Sequence, residues 1–303
     1  MMIPTATPAD QMLALTRAAG VALLARAFVL VEGADAESFL QNLLSQDLHG
    51  MADGTARDAL FLSPKARIIA NPRVTRLDQS RFLLDLEPVG EAPLVAGLRR
   101  YRLGAKVVVE LTEAWSLLSL IGPQAESIDL DGLSLPTALG GLPRRDVLVA
   151  AAQAEALIAS AVAAGAVTVS PDAIEALRVE AGEVRLGADL DQRWMPAEVG
   201  VVERTVSFEK GCFPGQEPVT RLHRRGHANR GPRRLILDAL VAVGEPLHVD
   251  DREVGLVTSV AGPPWLSRHA AIGIVRVKVA EDAVFVAGGS VKARAAGLVG
   301  TGI

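Results

Sequence analysis

This chain contains one cysteine, and the residues around it set what the thiol can do. Cys212 lies in Lys210-Gly211-Cys212-Phe213-Pro214-Gly215-Gln216-Glu217. A lysine precedes it, two glycines bracket it, and a Gln-Glu pair follows. Arg221, His223, Arg224, Arg225, His227, Arg230, Arg233 and Arg234 come next, with no acid among them. A thiol beside positive charge ionises more readily, and the thiolate is the reactive form. Two readings stand. A lone cysteine can be a small buried hydrophobe. The flanking Gly, Pro, Gln and Glu instead describe a loop, and loops carry function disproportionately.

His223 and His227 have the i, i+4 spacing of two helical metal ligands, but Gly226 and the surrounding arginines disfavour a cation site, so no metal is expected. The arginine run could touch RNA phosphates. It lacks the interleaved aromatics on which bases stack, which leaves RNA contact the weaker expectation. Trp115, Trp194 and Trp265 read as core or rim packing rather than a cofactor box. Asp189 and Glu198 read equally as functional groups or as caps and turn residues.

At 303 residues the chain is long for one core and suits two or three domains. Half of it is hydrophobic and 22% is charged, the composition of a folded chain. One cysteine excludes an internal disulfide and any multi-cysteine metal site. No apolar run approaches the length of a membrane span. The first twenty residues have neither the basic start and apolar core of a signal peptide nor the arginine content of a transit peptide, so a cytoplasmic location and no membrane are expected. The net charge of -4 implies no general attraction to nucleic acid, which makes the basic run a local feature.

Several elements can be read that would position these groups. Residues 22–31 read as one apolar strand with Arg26 inside. Gly33 and Asp35 open a helix with Phe39, Leu40, Leu43 and Leu44 on one face. Residues 58–62 and 68–77 read as strands around the turn Ser63-Pro64-Lys65. Residues 81–86 form another strand, 91–101 a helix and 106–111 a closing strand. A second mixed block follows. It has strands at 116–121 and 146–150, an alanine-rich helix at 151–164, and a helix begun by Ser170 as N-cap with Pro171 in its first turn and ended at Ala181-Gly182. After Gly231-Pro232 short strands punctuated by Gly and Pro predict a small β-barrel or sandwich. The expected domains are residues 1–115, 116–231 with the Lys-Gly-Cys motif, and 232–303 as the barrel, in an α+β class.

The octapeptide around Cys212, followed by Arg221 and Arg225-Gly226, resembles the hallmark of the YgfZ family, folate-binding proteins of iron–sulfur cluster maintenance. The wider group includes the glycine-cleavage T-protein, an aminomethyltransferase. Three further segments are similar. Gly33-Ala34-Asp35-Ala36 with Phe39-Leu40-Gln41 and Gln46-Asp47 matches the family's opening strand and helix. Leu62-Ser63-Pro64-Lys65-Ala66-Arg67 follows, with Ala66 where the family usually has glycine. Leu177-Arg178-Val179-Glu180-Ala181-Gly182, Gly187-Ala188-Asp189 and Pro196-Ala197-Glu198 resemble the shared central segment.

The resemblance implies a three-domain ring like the T-protein, with residues 1–115 as a folate-binding part and a C-terminal barrel. Tetrahydrofolate or a derivative is the implied cofactor. Glu180 matches the carboxylate that holds the pterin, unless it simply pairs with Arg178 or Arg185. Arg221 and Arg225 could receive the anionic glutamate tail, with Gln216 and Glu217 in the same binding motif. Cys212, with Lys210, is the implied reactive thiol, and iron–sulfur clients or assembly factors are the implied partners. T-proteins carry an Asp-Asp pair where this chain has Ala70-Asn71, so the catalytic carboxylate is missing. The leading expectation is therefore a folate-binding accessory protein of iron–sulfur maintenance without classical turnover. The alternative is a folate-dependent aminomethyltransferase-like one-carbon transferase.

Overall fold

The computed structural model describes residues 6–226 and 228–296; His227 lies outside them. The chain divides into two compact units, each discontinuous in sequence. The first comprises Met1–Leu24, Ala114–Val184 and Pro232–Ile303, the second Ala25–Glu113 and Arg185–Gly231. The helices among the described residues are α1 (Pro8–Arg17), α2 (Ala36–Leu43), α3 (Glu91–Tyr101), α4 (Ala154–Ala163), α5 (Pro171–Ala181), α6 (Val202–Thr205) and α7 (Gln216–Arg224). None is long and apolar enough to cross a membrane.

In the first unit a five-stranded sheet has the order Leu133–Leu139, Leu142–Ala150, Trp115–Ile121, Gly20–Leu24, Val167–Thr168. Alternation along the strands sends successive side chains to opposite faces. Val21, Leu120 and Val147 pack with α4 residues Ala154 and Ala161. Ala22 and Ile121 pack with Leu15 of α1 and Ala173 and Leu177 of α5. The Ser170 hydroxyl accepts from the Ala173 N–H, Pro171 sits in the first turn, and Gly182 ends α5 in the left-handed conformation at φ 77. Start and stop are those expected.

The rest of this unit is a closed six-stranded barrel ordered Arg230–Leu237, His269–Arg276, Arg252–Ala261, Pro246–Val249, Val284–Ala287, Val291–Ala296. Leu235, Leu247, Val257, Ala271, Val275 and Phe285 fill it. His269–Arg276 is buried on both faces, because Ala270 and Ile272 point outward against Val179 of α5. The barrel is thus fixed to the helix that carries Glu180.

In the second unit the sheet order is Ala56–Asp58, Arg73–Arg76, Arg81–Leu86, Ala27–Glu32, Val108–Leu111. One face, with Val29, Val31, Val74, Phe82, Leu84 and Val109, packs on Phe39, Leu40 and Leu43 of α2 and Leu94, Val95 and Leu98 of α3. The single strand expected over 22–31 is two strands, and each joins the sheet of a different unit. Arg26 lies at the break, its guanidinium bonded to Asp85 and Glu87 at 2.8–3.1 Å. Asn71-Pro72 likewise divides 68–77 into Ile68–Ala70 and Arg73–Arg76.

Candidate functional site

The Lys-Gly-Cys-Phe motif turns its two ends inward and its middle outward. Lys210 and Phe213 are buried, whereas Gly211 and Cys212 are exposed. The Lys210 ammonium donates to the carbonyls of Gln41 and Leu44 at 2.5 Å and of Gln46 at 2.9 Å. An ammonium has three N–H groups, and all three are used here. Leu44 is the C-cap of α2, so Lys210 caps a helix end whose carbonyls lack intrahelical partners and whose dipole favours a cation. The Phe213 ring centroid lies 5.4 Å from Nζ. Burial pushes the Lys210 pKa down from 10.5 to about 8, and the charge of Asp47 opposes that shift. Asp47 itself sits below its usual range. Burial would raise it, but bonds from the Gln41 amide and the His49 N–H and the charges of Arg57 and Lys210 prevail. The matched segments at 39–47 and 210–213 are therefore two halves of one anchor.

A second clasp holds the far side of the loop. Gly215 is left-handed at φ 81, and a Cβ there would come within 2.6 Å of the Ser63 carbonyl oxygen and 3.0 Å of the Ala66 Cα. Only glycine fits so close an approach. Gly211 has no such neighbour, so of the two glycines only Gly215 is required by geometry. Ala66, where the resemblance expects glycine, has φ 57. Arg67 donates to the Arg193 carbonyl at 2.6 Å and reaches the Glu198 carboxylate at 3.5 Å. Glu198 also accepts from the Met195 N–H, and Asp189 accepts from the Arg185 N–H. For these two acids the structure supports the cap and turn reading.

Gln216, Glu217, Arg221 and Arg225 sit on α7 or at its C-cap. Gln216 opens the helix, its N–H donating to the Phe213 carbonyl at 3.2 Å. Glu217 is exposed in the first turn, where an acid suits the helix dipole. Arg221 and Arg225 are exposed at the other end. His223 stacks on Phe208 with centroids 4.1 Å apart. Asn71 donates its amide to the Ala59 carbonyl at 2.9 Å and Ala70 is buried, so neither position offers a carboxylate. A groove of about 640 Å³ in this unit, lined by Glu32, Ser80, Arg81, Arg102 and Lys106 among others, touches none of the expected site residues.

Glu180, in the first unit, is near the C-terminal end of α5. Its Oε1 accepts from Arg234 at 2.5 Å and also from Arg268. Its Oε2 is shielded from solvent and has no hydrogen-bond partner among the described residues. The alternative partners expected for Glu180 bond elsewhere: Arg178 to Glu175 and Ser259, Arg185 to Glu87. Sequence reasoning missed Arg234 and Arg268 as partners because both come from the barrel side of this unit, 54 and 88 residues away.

Residues 17–134 match the family described as the GCVT N-terminal domain. A putative chloroplastic transferase of Arabidopsis thaliana is 24% identical over 277 residues, which cover 83% of this chain but 64% of that protein. An aminomethyltransferase of Rubrobacter xylanophilus is 28% identical over 274 residues, 82% of this chain and 73% of that one. The crystal structure of the glycine cleavage system aminomethyltransferase T from Bartonella henselae superposes with a TM-score of 0.82, covering 95% of this chain and 87% of its own at 23% identity. The fold is that of this aminomethyltransferase.

Proposed function

We propose that this GCVT-like chain is a folate-binding accessory protein, active in the cytoplasm, that supports assembly or repair of iron–sulfur proteins. The observation that carries the reading is the divided state of Glu180. One carboxylate oxygen holds two guanidiniums, while the other is out of water with no partner among the described residues. A buried acceptor left unsatisfied costs about 1–3 kcal/mol, so such an atom implies a missing donor. The pterin ring of a tetrahydrofolate carries amide-like N–H groups, and Oε2 would accept from them. The bound folate would supply one-carbon or redox chemistry. This chain's residues would bind and orient it.

Cys212 is the proposed reactive thiol, held outward by Lys210, Phe213 and Gly215. Its substrate would be a cluster or sulfur species on a client protein. A single thiol does not supply the roughly four ligands of a resident cluster, so the contact would be transient. Arg221 and Arg225 are the proposed receivers of an anionic carboxylate group.

The names of the relatives favour a second reading, folate-dependent one-carbon transfer. Against it stand Ala70 and Asn71, which place no carboxylate at that strand. One set of measurements tests both. Anaerobic calorimetry with tetrahydrofolate should show binding that Glu180→Ala weakens about ten- to a hundredfold. Cys212→Ser should bind folate normally yet fail to sustain iron–sulfur enzymes in cells lacking the native protein. Absence of folate binding by the wild type would sink the pterin site. Full complementation by Cys212→Ser would sink the thiol's role. Folate-dependent release of ammonia from an aminomethyl carrier would establish the transferase instead.

A further inference from the structure

Trp194 and Arg230, both in the second unit, each carry a donor in want of an acceptor. Trp194 is 4% exposed, and its indole Nε1–H is buried with no hydrogen-bond partner among the described residues. The main chain at Trp194 is tied on both sides, and burial confines the ring. The Trp194 N–H donates to the Asp191 carbonyl, and the Trp194 carbonyl accepts from the Ile68 N–H. Two guanidiniums lie over the same indole, with the Arg193 carbon 5.6 Å and the Arg230 carbon 5.5 Å from the ring centroid. A third, Arg67, is bonded to the Arg193 carbonyl.

The charges around the ring do not balance. Asp191 neutralises Arg193 at 2.6 Å, and Glu198 offsets Arg67 at 3.5 Å. Arg230 is half-buried and has no carboxylate or carbonyl partner among the described residues. The cation–π contact holds the Arg230 guanidinium beside the indole, and the fork of a guanidinium matches a carboxylate or a phosphate. An acceptor-rich anion set beside Trp194 would satisfy the indole N–H and the Arg230 fork together. A neutral ligand would leave the arginine uncompensated.

We propose that Trp194 and Arg230 form a binding site for an oxyanion, the phosphate or carboxylate group of a small ligand. The assignment stands apart from the folate reading, since it uses neither Glu180 nor Cys212. It also gives Trp194 a role beyond the packing its sequence context suggests.

The test is titration of the full chain at constant ionic strength with inorganic phosphate in one arm and glutarate in the other, followed by calorimetry and by the Trp194 indole N–H resonance. At least one probe should bind saturably and shift that resonance, and the tighter arm identifies the source as phosphoryl or carboxylate. Arg230→Gln should weaken binding about tenfold or more. Trp194→Phe, which keeps a ring but removes the N–H, should weaken it about five- to tenfold. If Trp194→Phe does not fold, Arg230→Gln and the wild-type resonance carry the test alone. Saturable binding of neither probe, an indole resonance that does not move, or Arg230→Gln affinity within about twofold of wild type overturns the proposal.

Discussion

Lys210 and Glu180 are both charged side chains held largely out of water, but their hydrogen-bonding accounts differ. Lys210 has its three N–H groups on three carbonyls. Glu180 has two guanidiniums on one oxygen and nothing described on the other. A buried charge with every valence used is a structural joint, because any ligand would have to displace a protein bond. A part-buried carboxylate with one shielded oxygen open could accept a ligand donor without giving up a protein bond. The difference separates two residues that the sequence presents alike, each as one charged group inside a matched motif.

The largest effect should fall on the joint. Lys210→Met leaves three carbonyls near the end of α2 without a donor, and each unsatisfied group costs about 1–3 kcal/mol, so a loss of about 3–5 kcal/mol in urea unfolding is expected. Glu180→Gln keeps an acceptor for both guanidiniums and should cost less than half as much, while impairing folate binding far more than Lys210→Met does in its folded fraction. The reverse ranking of the two stabilities breaks the comparison.

A smaller effect concerns pH. The Lys210 ammonium is pushed down to about 8 in the folded chain, against 10.5 for the free side chain. Between those values the unfolded state binds more protons, so stability should rise with pH through that window and be flat in this term below about 8. The three carbonyls limit the rise, since a neutral amine can donate only twice. The measurement is wild-type stability minus that of Lys210→Met, from pH 8 to 10.5. A difference that falls with pH would show that the carbonyl cage outweighs burial and that the joint is strongest when charged.

The sequence discloses local devices better than long-range ones. The Ser170-Pro171 start and Gly182 stop of α5 are visible because a cap is a contact between near neighbours. The barrel strands are visible because Gly and Pro punctuate them, although Val291–Ala296 escaped notice among small residues. Leu133–Leu139 was missed because Pro136 interrupts its pattern, and α7 because a short helix of mostly polar residues, with Val219 alone buried, offers too few apolar positions to read a period from. For the site, the exposure of Cys212 and the constraint at Gly215 followed from neighbouring residue types. The cage around Lys210 did not, since its carbonyls lie 164–169 residues away and carbonyls carry no residue signature. Nor did the arginines of Glu180, since Arg234 and Arg268 lie 54 and 88 residues from it.

The smallest effect is expected at Ala66, which tests how fully the second clasp is satisfied. Its φ of 57 places a non-glycine residue in the left-handed region, at a cost of about 1–2 kcal/mol. Ala66→Gly removes that cost. It also frees the unfolded chain, losing about 0.4–1 kcal/mol, and it deletes a fully buried methyl group worth about 0.8 kcal/mol. These contributions nearly cancel, so the change in unfolding free energy should stay within about 0.8 kcal/mol of zero. The alkylation rate of Cys212 should likewise be unchanged, because Gly215 still approaches the same turn. A gain well above that range would mean that the methyl is poorly packed and the clasp strained. A faster-reacting thiol would mean that Ala66, and not only Gly215, restrains the loop, and the contrast between a closed joint around Lys210 and an open valence at Glu180 would then have to allow a third, partly loose region beside the cysteine.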